Sequence, residues 1–481
     1  MRVLKQLIPA RRPCVSHPNH LHRSRQAESL RRQFAQAPGL PFCDLLRAED
    51  LQQVLDDCGI QFRERIFSPL VTLATFLTQV LDADHSMRQA VARVIAQRIA
   101  MKQPPCSAGT RAYGKARQRL PEPFFAEVTR RVGRDLMLHA PAHWRWRGRD
   151  VKVVDGSTLS MPDTAANQKA YPQPSSQKPG VGFPVLRIVA LFSLSVGTVL
   201  DVAMGPYQGK QTGETALFRP LHHHLHEGDI LLADRYFCGY FHLAMVQTRG
   251  ADVVMRLHHL RKVDFRKGQH LGPGDHIVTW QKPKQRPEWL DEETYQRLPD
   301  TLTMRELRVR APRKNSRQRT ILVATTLLDP KAYPKQAIAE LYRQRWHAEL
   351  DLRSLKTFMQ MDILRCQSPE LVRKEIWAHV LAYNLIRKVM AQAAQEHKLP
   401  PREISFKGTL QTLNAFAERL QRCAANDLEA VCRCLLDAVA THRVGNRPGR
   451  VEPRAKKRRA KPYKLLNKPR QDARKAETRG G

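Results

Sequence analysis

The change of hydrophobic period at Val151 constrains this chain most. From there, "VKVVDGSTLSMPD", "LRIVALFSL" and "TVLDVAMG" are apolar, β-branched runs of strand length. The first reads as a buried strand ending at Asp155-Gly156. A helix is expected from Glu214 to His224, after which "GDILLADRYF", "HLAMVQTRG" and "ADVVMRL" alternate strand, helix and strand. Three strands together, then alternation, predict an α/β layer on a mixed sheet. "HIVTW", "MRELRVR" and the turn signal "GPGD" predict a β-rich insertion over about 258–318, after which "TILVATTLL" resumes the apolar strand type. Residues 46–145 and 366–442 carry helical patterns, and the second stretch is expected to cap the layer. The division that follows is a basic irregular segment (1–45), a helical region (46–145), the α/β core with its insertion (146–365), a helical region (366–442) and a tail (443–481).

Charge narrows the partners. The 81 Lys and Arg residues against 45 Asp and Glu give a net charge of +36, which attracts polyanions, nucleic acid foremost. Residues 443–481 hold 15 Lys or Arg and 3 acids, a net +12 that predicts a disordered, polyanion-seeking tail. No basic amphipathic anchor, lipidation signal or signal-peptide core stands out. The most apolar run, "LRIVALFSLSVGTVLDVAM", is interrupted by Gly197 and Asp201 and reads as two strands, not a membrane span. A soluble, cytoplasmic, nucleoid-associated protein is expected. The nine cysteines are odd in number, scattered, and contain no CxxC pair, which indicates a reducing compartment. Cys14, His17, His20 and His22 lack a second ligand pair, which weighs against zinc, and "HHHLH" at 222–226 reads as a partly exposed helix end.

"HSMRQAVARVIAQRIAMKQ", with Ser86 as cap, and "SAGTRAYGKARQRL", with Ser107 as cap, predict two helices across a short break. The second bears Arg111, Lys115, Arg117 and Arg119. A helix-turn-helix-like DNA reader and a helical bundle with a solvated basic face fit this pattern equally well.

The run "YRQRWHAELDLRSLK" at 342–356 carries the chemistry. At about 100° per residue, Tyr342, Arg345, Glu349, Arg353 and Lys356 share one stripe roughly 80° wide. Leu341, Ala348, Leu352 and Leu355 flank it on one side, Trp346 and Leu350 on the other, so the charges lie between apolar edges rather than opposite them. An i, i+4 ladder through Arg345, Glu349 and Arg353 is one explanation. The other begins from Asp155 and Asp234, each at a strand end. Two such acids converging on one sheet would repel, and a divalent cation would relieve them. Glu349 is the third acid.

Tyr342, Arg345, Glu349 and Lys356, in that order and spacing, are similar to the Y-R-E-K signature of bacterial insertion-sequence transposases of the DDE type. "DGSTLSMPD" and "LLADRYF" resemble the regions that supply that family's aspartates. The resemblance covers about Val151 to Lys356. It implies an RNase H-like catalytic domain in which Asp155, Asp234 and Glu349 are catalytic and hold two Mg²⁺ ions, Mn²⁺ being able to substitute. It also implies that Tyr342, Arg345 and Lys356 meet DNA. The expected activity is to bind the terminal inverted repeats, cleave a strand at each end to free a 3′-OH, and join it to target DNA. Double-stranded DNA and a second copy of the chain are the expected partners, with no membrane. Two cations about 4 Å apart suit both ends of an in-line displacement, and Mg²⁺ prefers oxygen donors. Trp280 and Trp289 are candidates to stack on a flipped base, with packing as the plainer use. A related nuclease, such as a junction resolvase, would need the acids but not the long helical N-terminus. An inactive DNA binder on the same scaffold is the other reading.

Overall fold

The computed structural model describes residues 18–63, 65–311, 319–445 and 465–478. Its centre is one mixed sheet. β1 (Val151–Ser160), β2 (Val185–Ser193) and β3 (Val199–Pro206) form an antiparallel meander; β4 (Ile230–Ala233) and β5 (Asp252–Arg256) lie parallel to β1. The insertion supplies β6 (Gln269–Gly272), β7 (Asp275–Gln281) and β8 (Thr301–Ala311), and β9 (Arg319–Thr325) returns antiparallel to β5. The strand order is β3-β2-β1-β4-β5-β9-β8-β7-β6, so the insertion prolongs the same sheet. Its first five strands have the RNase H-like arrangement, and the chain is α/β.

Among the described residues, six α-helices precede the sheet: α1 (Pro18–Gln33), α2 (Ala48–Asp57), α3 (Pro69–Leu81), α4 (Met87–Ala100), α5 (Arg111–Arg119) and α6 (Glu122–Leu138). Between strands lie α7 (Ala165–Ala170), α8 (Glu214–Phe218), α9 (Tyr240–Gln247) and α10 (Glu292–Arg297). After β9 come α11 (Lys335–Gln344), α12 (Trp346–Arg353), α13 (Pro369–Glu396), α14 (Phe406–Arg422), α15 (Leu428–Thr441) and α16 (Arg470–Thr478).

The central strands are apolar on both faces because both are covered. Val153 and Ile188 join a core with α6 and α13, while their neighbours Val154 and Val189 join a second core with α8 and α9. Helix α13 is buried nearly all round, and several of its polar side chains find buried partners. Asn384 accepts from the Val199 N–H at 2.8 Å and donates to the Val199 carbonyl at 2.8 Å; Lys388 donates to the Phe34 carbonyl at 2.8 Å. Inside the insertion, Arg305 meets Asp275 through two hydrogen bonds of 2.8 and 2.6 Å.

The structure departs from the sequence expectations in several places. Residues 18–33, expected to be irregular, are helical: Ala27 and Leu30, with Phe34 just beyond, share one face buried in the main core, so tertiary packing overrides a weak local pattern. Most of the N-terminal helices form no core of their own, since α1, α2, α3 and α6 share theirs with the sheet and α13–α15. Strand β1 does not stop at Asp155 but continues to Ser160, because β2 pairs with it along that length. Finally, α16 interrupts the expected disordered tail; its residues 446–464 and 479–481 lie outside the described residues, as do Cys14 and His17.

Helices α4 and α5 form on a small core of Phe67, Val91, Val94 and Tyr113; Ser86 caps α4 as expected, but Ser107 does not cap α5, which begins at Arg111 with Thr110 at its N-cap. Arg111, Lys115 and Arg119 are exposed. Arg117 is buried, its guanidinium over the Phe76 and Tyr113 rings, and is therefore unavailable to DNA. Among the described residues no helix is long and apolar enough to cross a membrane.

Candidate active site

The register of one parallel strand pair places the two aspartates. Val153 of β1 lies opposite Leu232 of β4. Two residues further along, Asp155 and Asp234 fall beside each other, where β4 ends and β1 runs on. Asp234 caps the short turn after β4, accepting from the Arg235 N–H at 2.7 Å.

Glu349 arrives on α12. Arg345 joins it to β1: one guanidinium nitrogen donates to Glu349 Oε1 at 2.6 Å, and another lies 3.7 Å from Asp155 Oδ2. Burial opposes the Arg345 charge, but the hydrogen bond to Glu349 and the nearby Tyr342, Asp155 and Asp234 hold it above its ordinary value. Tyr342 is buried near Arg345, and burial pushes the phenol up to about 12, against the Arg345 charge. Lys356 Nζ donates to Ser157 Oγ at 3.0 Å and the Thr158 carbonyl at 2.8 Å, just past Asp155 on β1. Burial lowers its pKa.

The charged stripe thus faces β1 and the carboxylates, despite a backbone less regular than a single helix. The chain is interrupted at Arg345 between α11 and α12, then closes in a π-helical turn over Ser354–Phe358 that carries Lys356. Such turns recur at functional sites. Arg353 points outward, over the Phe358 ring and away from the acids.

A buried charge network fixes α12. Asp351 is fully buried and pairs with Arg387 of α13 and with Arg402, the latter at 2.8 Å to both carboxylate oxygens. Ser160 exchanges hydrogen bonds with Asp362 and Leu364 at 3.1 and 2.9 Å, clamping the segment after the π turn to the end of β1.

The sequence reading missed Glu214, the first residue of α8. A Cβ on Gly156 would lie 2.6 Å from Glu214 Oε1, so this carboxylate packs directly over the backbone next to Asp155. Burial pushes Glu214 up and Asp234 adds to the effect, against Arg187. Asp155 is pushed up to about 6, mainly by burial, with Glu349 and Glu214 contributing against Arg345. The available signal was the glycine after Asp155, which leaves room for a neighbour. Tyr236 and Trp346, near Asp234 and Glu349 in sequence, are exposed large aromatics that the sequence reading did not single out as site residues. Of the two insertion tryptophans, Trp280 is buried and donates to Glu306 at 2.8 Å, a packing role. Trp289 stacks on His242 and lies under the Arg219 guanidinium.

Residues 146–385 match the family described as "Transposase DDE domain". Over 368 residues, 74% of this chain and 77% of the relative, the chain is 27% identical to the transposase InsG for insertion sequence element IS4 of Escherichia coli K12. The chain is a DDE transposase of an insertion sequence. A shorter match, 34% identical over 82 residues, links 17% of the transposase to 21% of the transposase for insertion sequence element IS421 of Escherichia coli. Among solved structures, the piggyBac transposase synaptic complex with hairpin DNA aligns over 89% of the transposase and 87% of that chain, with 10% identity and a TM-score of 0.41.

Transposases of this family use divalent metal ions, and the donor set of this transposase suits one. Asp155, Asp234, Glu349 and Glu214 are hard oxygen donors gathered around the end of β4, though no three of them set their donor atoms within 4.8 Å of one another, and Asp155 is poorly stabilised as an anion where it stands. A cation would offset that repulsion.

Proposed function

We propose that Asp155, Asp234 and Glu349 are the catalytic carboxylates of this transposase. In this reading it binds the inverted repeats of its own element, cleaves a strand at each end to free a 3′-OH, and joins that end to target DNA. The observation that carries the reading is the convergence of the acids: the β1–β4 register sets Asp155 beside Asp234, and Arg345 ties Asp155 to Glu349. The three carboxylates would hold Mg²⁺ or Mn²⁺, which would activate the attacking oxygen and stabilise charge on the leaving one. Arg345 balances carboxylate charge and offers a fork that suits a phosphate; Tyr342 orients it. Lys356, held against β1, supplies a second positive charge along the strand being cut. The exposed face of α5 and the basic tail contribute DNA affinity, and two copies of the chain pair the two ends.

The test is cleavage of linear DNA carrying the element ends, in Mg²⁺ or Mn²⁺. Asp155→Asn, Asp234→Asn and Glu349→Gln are each expected to abolish nicking at the element boundary while leaving end binding intact. Lys356→Ala is expected to slow nicking about a hundredfold, the usual cost of removing one charge-stabilising donor. Carboxylate variants that nick as well as wild type would refute the assignment.

A further inference from the structure

Far along α13 from the Arg387–Asp351 network lies a second set of ligand-type side chains that the transposition chemistry does not use. His85, in the turn between α3 and α4, meets Glu375 and His379, one helical turn apart on α13. One donor atom from each lies within 4.8 Å of the other two, and all three residues are buried. The His85 and His379 ring centroids are 5.3 Å apart.

Their hydrogen bonding is incomplete in a telling way. Both ring nitrogens of the fully buried His379 lack a partner, as does Nδ1 of His85. A buried imidazole with neither nitrogen engaged is unfavourable unless something else engages it. Glu375, by contrast, is held in place: its oxygens accept the Arg365 N–H at 2.9 and 3.1 Å and the Cys366 N–H at 2.9 Å. Such support from backbone donors is how ligating carboxylates are oriented in metal sites. Burial also keeps both imidazoles neutral, the form a metal binds. Arg117 and Arg365 bring positive charge nearby, against Glu375 and Asp84.

We propose that His85, Glu375 and His379 form a structural site for a transition-metal ion of the zinc class, separate from the proposed Mg²⁺ site at the end of β4. Two imidazoles and a carboxylate select zinc-like ions over Mg²⁺, which prefers oxygen alone. A tetrahedral ion with bonds of about 2.0–2.1 Å sets its ligand atoms about 3.4 Å apart, so from within 4.8 Å the donor atoms need to close by no more than about 1.4 Å. The ion would pin the α3–α4 turn to α13, fastening the N-terminal helices to the helix that backs the catalytic sheet.

Metal content of the full-length, tag-free protein, dialysed against Mg²⁺ without chelator, tests the site. About one equivalent of tightly held transition metal is expected. Exchange with Co²⁺ should give the visible absorption of a four-coordinate ion. The Asp155→Asn/Asp234→Asn/Glu349→Gln variant should keep both signals, which separates this site from the proposed catalytic one. His379→Gln and His85→Ala should lose them; circular dichroism shows that each variant folds, and His85→Ala, in a turn, covers the case in which the helix variant does not. Less than about a tenth of an equivalent in wild type with no Co²⁺ spectrum, or retention of the metal by a folded His85→Ala variant, would overturn the proposal.

Discussion

At the residue scale, Asp155 shows what a carboxylate cluster costs the fold. Its folded pKa is raised to about 6, mainly by burial, against an unfolded value of about 3.9. Between about pH 4 and 6 the unfolded chain has released a proton that the folded chain keeps. Stability therefore falls as pH rises through that window and stays lower above it, by about 2–3 kcal/mol. Asp155→Asn removes the anion without changing the shape. In EDTA at pH 8 it is expected to stabilise the protein against urea by up to that amount, with the gain gone at pH 4; an equal gain at both values would contradict the burial argument. Gly156 gives a second prediction. Alanine there drives its methyl into the Glu214 carboxylate, so Gly156→Ala should destabilise the fold by about 1–2 kcal/mol, and Gly156→Ala/Glu214→Ala should recover most of it. Asp155 and Asp234 drew notice because each follows an apolar run, and Glu349 because it stands in a charged stripe between apolar edges; their joint role as catalytic carboxylates is the reading proposed above. Glu214 was not, because an acid at a helix start ordinarily serves the helix dipole, and nothing local reveals that a distant glycine makes room for it.

At the element scale, what positions Glu349 lies on the side of α12 away from the acids. Asp351 is fully buried between Arg387 and Arg402. Removing its charge strands two guanidinium groups in the interior, a loss of about 3–5 kcal/mol for a buried pair broken from one side. Asp351→Asn is accordingly expected to lower the urea midpoint sharply and to reduce nicking even at temperatures where the variant remains folded, because α12 loses its anchor. Full nicking by a folded Asp351→Asn variant would show that α12 is held by other contacts. The sequence made the charged stripe visible but not this anchor, because Asp351 reads as an ordinary surface acid until Arg387 and Arg402, 36 and 51 residues later, are folded onto it. The same distance effect hid the continuation of β1. "DGS" has the composition of a turn, and only pairing with β2 shows that the strand runs through it.

At the scale of the whole molecule, two properties that the sequence suggested separately become linked. The composition announced a polyanion binder, and the period change announced the sheet. Neither disclosed that most of the N-terminal helices, read as a region of their own, share a core with α13–α15, since that depends on which apolar faces meet. Helix α5 sits on its own small core but is tied to α13 by Lys374, which donates to the Arg117 carbonyl at 3.3 Å, so DNA bound on the exposed face of α5, as proposed, would be coupled to the body that carries the acids. Affinity should then come from many dispersed charges, and the net +36 predicts a steep loss of binding with salt. Each phosphate neutralised contributes about 0.9 to the slope of log K against log salt. The stretch "VEPRAKKRRAK" offers a direct measure, because Arg454, Lys456, Lys457, Arg458, Arg459 and Lys461 put six positive charges in eight residues. Replacing all six with glutamine should flatten the slope by up to about 5 and weaken binding to unrelated DNA and to the element ends alike. Nicking of saturating end DNA should persist, because none of the six belongs to the proposed catalytic site. An unchanged slope would mean that the segment makes no phosphate contacts, and would assign DNA capture to the rest of the chain.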